Sequence, residues 1–428
     1  MDPDTASQPG EREPTTPHRA RPYARRLAHA SLVLLGTAGC APGPEPATGV
    51  RPGIEVLLAD SSHLVADRRV GLITNQTGIA RDGSRSIDLL LSHGIELVTL
   101  FGPEHGIRGD IAEGRRVAGG VDEGSGLPVY SLYGETFEPT AEMLAGIDAL
   151  LFDMQDIGAR YYTRVSTMAL AMQAAAELGI RFIVLDRPNP IGGELVQGNV
   201  LEPEHASLVG LYPIPMRHGM TVGELARLFN DQFEIGAELH VVPVTGWKRG
   251  QWFDDTDLPW VPSSPNMPTL VSGTHYPGTC LFEGTNLSVG RGTDAAFQQI
   301  GAPWLDGALL AERLNGYGLP GVRFDAVTFV PDRPTDGKYG GDLVRGVRFV
   351  TSDRAVYDPT RAAIAALIEA RRLAGARWEW VPRHFDRLAG TARLRAGIEA
   401  GADLEEVVSS WGDELAAFLP LRARFLLY

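Results

Sequence analysis

Residues 148–163 read "DALLFDMQDIGARYYT": a short apolar run, then a polar stretch with two aspartates, a glutamine and an arginine, then a tyrosine pair. An apolar run without polar alternation is a strand buried on both faces, as in a parallel sheet covered by helices. Similar runs recur at "VGLIT" (70–74), "ELVTLF" (96–101), "FIVL" (182–185) and "ELHVVPV" (238–244). Helical patterns lie between them. "RSIDLLLSHG" is stopped by Gly94, a helix over 163–178 ends at Gly179, and Thr221 with Glu224 forms a capping box opening "TVGELARLFN". Strand and helix in alternation predict an α/β fold. No solenoid-type repeat interrupts it.

After Trp247 the texture changes. "GWKRGQWFDDTDLPWVPSSPNMPT" (246–269) is rich in Trp and Pro and reads as a long structured crossing. Beyond it the pattern gives a helix near 306–316, strands near 322–329 and 345–350, and a helix begun by Asp358 with Pro359 in its first turn. Two more helices are expected to finish a smaller α+β domain. With 428 residues there is enough chain for two cores, placed here at 51–250 and 251–428.

The amino terminus has a different character. Residues 1–26 are Pro-rich and carry Arg19, Arg21, Arg25 and Arg26; "LAHASLVLLGTAGC" then gives a short apolar stretch ending at Cys40. This is a secretory signal layout, too short to span a bilayer as a mature helix. Small residues directly before Cys40 resemble a bacterial lipobox, whose thiol is acylated. The expectation is a lipoprotein signal over 1–40, a Pro/Ala/Gly tether over 41–50, and an exported protein touching the membrane only through lipid, facing the periplasm or cell-wall space. A cleaved signal with a stray cysteine is the competing reading. A net charge of −14 argues against a nucleic-acid partner, which would require a basic face.

In open parallel sheets ligands sit outside the carboxyl ends of the strands. The segments there are "NQTG", "GPEHGIRGD", "DMQDIGARYYT" and "DRPNPIGG", which bring Asn75, Glu104, His105, Arg108, Asp153, Gln155, Asp156, Arg160, Asp186, Arg187 and Asn189 to one edge. One aspartate after a strand usually caps the next helix. Four polar loops in succession make a candidate site. No glycine-rich dinucleotide fingerprint, Walker loop, nucleophile elbow or His/Cys metal cluster is present, so neither a cofactor nor a metal is expected. Carboxylates, amides, arginines and aromatics remain. Carboxylate pairs that protonate a leaving oxygen and activate water are the apparatus of glycoside hydrolysis. Trp247, Trp252, Trp260, Tyr161 and Tyr162 are either core residues or faces for sugar rings.

Nine motifs in order, "GLITNQTG", "FGPEHGIRGD", "DMQDIGARYYT", "VLDRPNPIGG", "RHGMTVGELA", "SPNMPT", "YPGTC", "FEGTNLSVGRGT" and "GAPW", resemble the bacterial exo-β-N-acetylmuramidase family, glycoside hydrolase family 171, from about residue 54 to Tyr428. The resemblance implies a Rossmann-like parallel-sheet N-terminal domain, a smaller C-terminal domain and a cleft between them. It also implies release of N-acetylmuramic acid (MurNAc) from the non-reducing end of peptidoglycan fragments such as MurNAc–GlcNAc. Glu104 matches the family's glutamate in P-E-H-G and is the expected catalytic acid, its pKa raised by carboxylates on the following loops. His105 either orients it, binds a sugar hydroxyl or is structural. Asp156, then Glu283, are the choices for the second carboxylate. His218, Asn266 and Asn286 join the sugar-binding candidates. Arg160 first and Arg291 second, with Arg108 and Arg187, are candidates for the lactyl carboxylate of muramic acid. The resemblance also implies a cysteine near Val344, which this sequence lacks, so Cys280 is expected to stay unpaired. A non-catalytic muropeptide-binding lipoprotein is the alternative.

Overall fold

The computed structural model describes residues 49–112 and 114–428, all within one compact unit. The leader, Cys40 and most of the tether lie outside the described residues.

The chain enters through helix α1 (Gly53–Asp60). Gly53 sits against strand backbone: its amide donates to the Asp186 carbonyl at 2.8 Å, and a Cβ here would lie 2.5 Å from that backbone. Then follow β1 (Val70–Thr74), α2 (Ser86–Ser92), β2 (Leu97–Gly102), β3 (Gly120–Val121), β4 (Pro128–Ser131), β5 (Ala149–Asp153), α3 (Thr163–Glu177) and β6 (Arg181–Leu185). A small antiparallel ribbon, β7 (Gln197–Val200) with β8 (Pro215–Arg217), precedes α4 (Val222–Gln232) and β9 (Leu239–Val242).

The seven-stranded sheet runs β3-β4-β2-β1-β5-β6-β9, with every neighbouring pair parallel except β3 and β4. Numbered by appearance, its six parallel strands lie in the order 3-2-1-4-5-6, that of the dinucleotide-binding fold. The expected apolar runs are its strands, and the reason is burial on both sides. Ile73, Phe101, Phe152 and Phe182 face α3 and α4, whose Met168, Met172, Leu225 and Phe229 cover them. Leu72, Leu100, Leu151 and Ile183 face Ile54 and Leu57 of α1 and Leu90 of α2. The Thr221–Glu224 capping box opens α4 as expected.

The second half holds α5 (Leu270–Thr279), then the antiparallel sheet β10-β12-β11, made of β10 (Gln299–Ala302), β11 (Val322–Phe329) and β12 (Val344–Thr351). Helix α6 (Gly307–Gly316) precedes β11, and α7 (Pro359–Ala374) follows β12, capped by Asp358. Four helices close the chain where two are expected: α8 (Pro382–Ala389), α9 (Arg393–Ala400), α10 (Leu404–Ser409) and α11 (Gly412–Ala423). Left-handed glycines at 390 and 401 end α8 and α9, which splits what reads as longer helical pattern.

Two packing features set the site. Ile157, Ala159, Tyr161 and Tyr162, from the loop after β5, are buried in the core of the second half, against Tyr276, Leu281 and Phe297. In return, Phe418 and Phe425 from the chain's end join the core under α3 and α4.

Candidate active site

Strand order reverses between β1 and β5, so the crevice rule points to the loops that follow them. After β1, Asn75 accepts from the Thr77 amide at 2.9 Å and its hydroxyl at 2.6 Å, which folds the loop back. Thr77 Oγ1 in turn accepts from the Gln155 amide at 2.9 Å and so ties this loop to the one after β5. There Asp156 Oδ2 accepts from the Gly158 amide at 2.7 Å, in a turn that needs glycine: φ is +82°, and a Cβ would lie 2.5 Å from Asn189 Oδ1. His218 is fully buried. The Met220 amide donates to its Nδ1, which leaves the ring proton on Nε2, 3.3 Å from Asp156 Oδ2.

Glu104 lies on the neighbouring loop, after β2. Its Oε1 accepts from the Gly114 amide at 3.1 Å and its Oε2 from the Thr163 hydroxyl at 3.0 Å. Thr163 is the first residue of α3, so the carboxyl group sits at the positive end of a 15-residue helix. The turn before it is strained. His105 has φ +72°, a left-handed conformation costly for a residue with a Cβ, and Gly106 follows at +74°. His105 Nδ1–H donates to the Ile111 carbonyl at 2.6 Å, bracing the loop that brings Gly114 to Glu104.

The second half closes on this edge through aromatic contacts. Tyr276 on α5 meets Tyr161 and Tyr162 edge-on, each at 5.9 Å, and Phe297 at 4.8 Å. Arg291 lies 5.1 Å over Phe297 and forms an ion pair with Glu283, donating from Nε at 2.8 Å and from Nη2. Burial raises the Glu283 carboxyl, but Arg291, with His384 and Lys338 nearby, outweighs it and holds the group below the usual glutamate value. Arg164 is buried with its guanidinium 4.7 Å over Tyr162, donating to the Tyr162 hydroxyl and the Ser263 carbonyl. The Tyr162 hydroxyl donates to Ser263 Oγ at 2.6 Å.

Several expected ligands serve the fold instead. Arg160 is 1 % exposed and gives its terminal N–H groups to four carbonyls, of Asn199, Ile214, Leu388 and Ala389. It pins the β7–β8 ribbon to the end of α8 and has no face for a sugar carboxylate. Tyr161 is core, its hydroxyl donating to the Pro277 carbonyl. His218 has no exposed atom with which to reach a sugar. Asn189 donates to the Met220 carbonyl and accepts from the Ile191 amide; Asn286 donates to the Arg377 carbonyl. Arg187 and Asp153 form a buried pair at 2.6 Å, and Asp153 also accepts from Ser86. Asp186 caps α4, accepting from Gly223 and Thr221; burial raises its carboxyl to about 6. With Asp153 and Asp186 engaged this way, neither is a free charge aimed at Glu104. Arg108 is exposed and lies near Asp122 and Glu123. Asn266 is half-buried in the crossing segment.

Gln155 and Arg187 line a narrow crevice with Thr77, Phe253 and Trp260. Glu104 and Glu283 are not among its walls. Trp260 is the partly exposed member of the three tryptophans; Trp247 and Trp252 are buried. Cys280 is a free, buried thiol whose pKa burial drives well upward, so it is inert packing. The sequence reading missed Thr163, Arg164, Ser263 and Tyr276. Thr163 alone carried a signal, as the residue that opens a helix directly after a polar loop. Among the described residues no group of three or more His, Cys, Asp or Glu side chains is placed to hold a metal.

A Rossmann-ordered sheet whose carboxyl edge carries an anchored glutamate, closed by an aromatic-rich second half, defines an α/β protein without a dinucleotide loop. The N-terminal domain model of the exo-β-N-acetylmuramidase NamZ family matches residues 70–271, and its C-terminal domain model matches residues 274–428. The chain belongs to this family. It is 46 % identical over 406 residues to the peptidoglycan β-N-acetylmuramidase NamZ of Bacillus subtilis (strain 168), covering 93 % of this chain and 97 % of that one. Two crystal structures of DUF1343 family proteins from Bacteroides fragilis NCTC 9343 superpose with TM-scores of 0.83 and 0.73, at 37 % and 31 % identity. Each match covers 89 % of this chain and 99 % of the other.

Proposed function

We infer that this chain is a glycoside hydrolase, an exo-acting β-N-acetylmuramidase that releases MurNAc from the non-reducing end of peptidoglycan fragments. Family membership and the near full-length relative support the activity. The observation that carries the chemistry is Glu104, held through both oxygens at the head of α3. In the proposed step Glu104 gives its proton to the glycosidic oxygen as the bond to the anomeric carbon breaks; water supplies the new hydroxyl, and its remaining proton restores the acid form of Glu104 for the next turnover. Thr163 suits either protonation state, because a hydroxyl donates to a carboxylate and accepts from a carboxylic acid.

For the second carboxylate, exposure and charge favour Glu283 over Asp156. Asp156 is 3 % exposed and engaged in its own turn. Glu283 retains 16 % side-chain exposure and is held ionised, the state that a base or a stabiliser of positive charge requires. Arg291 beside it replaces Arg160 as the proposed reader of the lactyl carboxylate, since it packs on the cluster of Phe297, Tyr276 and Tyr162, and Tyr162 directly precedes Thr163, which holds Glu104. Mass spectrometry of MurNAc–GlcNAc digests tests the activity. Free MurNAc and GlcNAc are expected; intact disaccharide that nevertheless binds would favour a muropeptide-binding protein instead.

We also propose that the protein is exported and held to the membrane through lipid on Cys40. The support is the arginine-rich leader, the apolar stretch and the small residues before the cysteine. Cys40→Ala is expected to shift the protein to the soluble fraction; a variant that stays with the membrane contradicts the anchor.

A further inference from the structure

Two aromatic residues outside every motif discussed above stand on the same sheet edge. Strand β4 runs parallel to β2, so the loop that follows it emerges beside the Glu104 loop. Two contacts fix the juxtaposition. The Leu132 amide donates to the Gly102 carbonyl at 2.8 Å, two residues before Glu104. The Val117 amide donates to the Tyr133 carbonyl at 2.7 Å, three residues after the Gly114 amide that holds Glu104. On this loop Tyr133 and Phe137 meet edge-on at 5.4 Å and 75°. Tyr133 is half-buried, and Phe137 is 45 % exposed. Phe137 thus leaves an apolar ring in water on the loop next to the one that carries Glu104.

The order of loops along the edge says which one. From the interior outward come Asp156 after β5, Asn75 after β1, Glu104 after β2, and Tyr133 and Phe137 after β4. Neighbouring strands are roughly 4.8 Å apart, a step comparable with a pyranose ring. An exo-acting enzyme encloses the terminal sugar and leaves the rest of the chain outside. On the muramidase reading, the terminal MurNAc is assigned to the inward side of Glu104, toward Tyr162 and the second half. The sugar on the other side of the scissile bond lies outward.

We propose that Tyr133 and Phe137 form the subsite for the leaving sugar, a β-linked N-acetylglucosamine whose apolar ring face packs on Phe137. The proposal rests on the muramidase reading above and adds to it the placement of the second sugar. Tyr133 packs edge-on against Phe137 and its carbonyl is tied to the Glu104 loop through Val117, so occupancy here aligns the glycosidic oxygen with the acid.

The test compares MurNAc–GlcNAc with MurNAc β-fluoride, whose leaving group has no ring. Phe137→Ala is expected to raise KM for the disaccharide about tenfold, the effect of roughly 1.4 kcal/mol. On the fluoride KM should stay within twofold, and Phe137→Trp should restore the disaccharide value. An unchanged KM on the disaccharide, or equal losses on both substrates, overturns the subsite. Wild-type protein that cleaves neither substrate overturns the muramidase reading, and the subsite with it. Tyr133→Ala is the second variant, expected to show the same split between substrates.

Discussion

Thr163 donates its hydroxyl to Glu104 at 3.0 Å across 59 residues of sequence, joining the first residue of α3 to the loop that follows β2. This contact makes the carboxyl group part of a helix terminus instead of a free loop side chain. Thr163→Val keeps the shape and removes the donor. A hydrogen bond donated to a carboxylate is worth about 1.5–3 kcal/mol, so kcat should fall roughly tenfold to a hundredfold with KM little changed. Steady-state kinetics on MurNAc–GlcNAc check it; a change in KM alone would place Thr163 with substrate binding.

Glu283→Gln and Asp156→Asn should separate the two candidates for the second carboxylate. Glu283→Gln is expected to lower kcat by on the order of 10²-fold or more. Asp156→Asn should mainly lower thermal stability, because its oxygen satisfies the Gly158 amide within a turn. The reverse pattern would return the role to Asp156.

The Glu283–Arg291 pair also predicts an acid dependence. The folded-state pKa of Glu283 is depressed below the ordinary 4.5, so its contribution is fully present above that pH. The contribution is lost as pH falls through the folded value. The stability gap between wild type and Glu283→Gln, read from urea unfolding, should be constant from pH 7 to 5 and close below pH 4.5. A gap that widens on acidification contradicts the assignment.

Arg160→Ala should destabilise instead of altering specificity. Removing the guanidinium strips a donor from four interior carbonyls; those of Ile214 and Ala389 keep the Leu201 amide and the Asn199 side chain, while those of Asn199 and Leu388 lose their side-chain donor at about 1–3 kcal/mol each. The melting temperature is expected to drop by several degrees on the scale of roughly 2–4 °C per kcal/mol. A stable variant that has lost only its preference for muramic acid would restore Arg160 to the substrate.

The sheet was readable because burial on both faces writes itself as uninterrupted apolar runs, and "VGLIT" is β1 residue for residue. Short elements left no such mark. The two residues of β3 and the mixed "QIGA" of β10 pair through backbone, not composition. Glu104 stood out through its motif. Thr163 is legible as the start of a helix but not as Glu104's partner, and Gly114 is not legible at all, because which hydroxyl or amide meets a carboxylate is decided by the close packing of loops distant in sequence. Arg160 failed for a related reason: an arginine in a polar loop looks alike whether it meets a ligand or four main-chain carbonyls.

Whether Glu104 cleaves the bond of a terminal MurNAc is decided by comparing wild type with Glu104→Gln. Wild type and Glu104→Gln are incubated with MurNAc–GlcNAc, release of MurNAc is followed by mass spectrometry, and disaccharide binding to each is measured by calorimetry. General acid–base help is worth roughly 10²–10⁴-fold. Wild type should release MurNAc, and Glu104→Gln should lose turnover by at least that range while binding the disaccharide with similar affinity. Near-normal turnover by Glu104→Gln, or no MurNAc from the wild type, would contradict this role of Glu104.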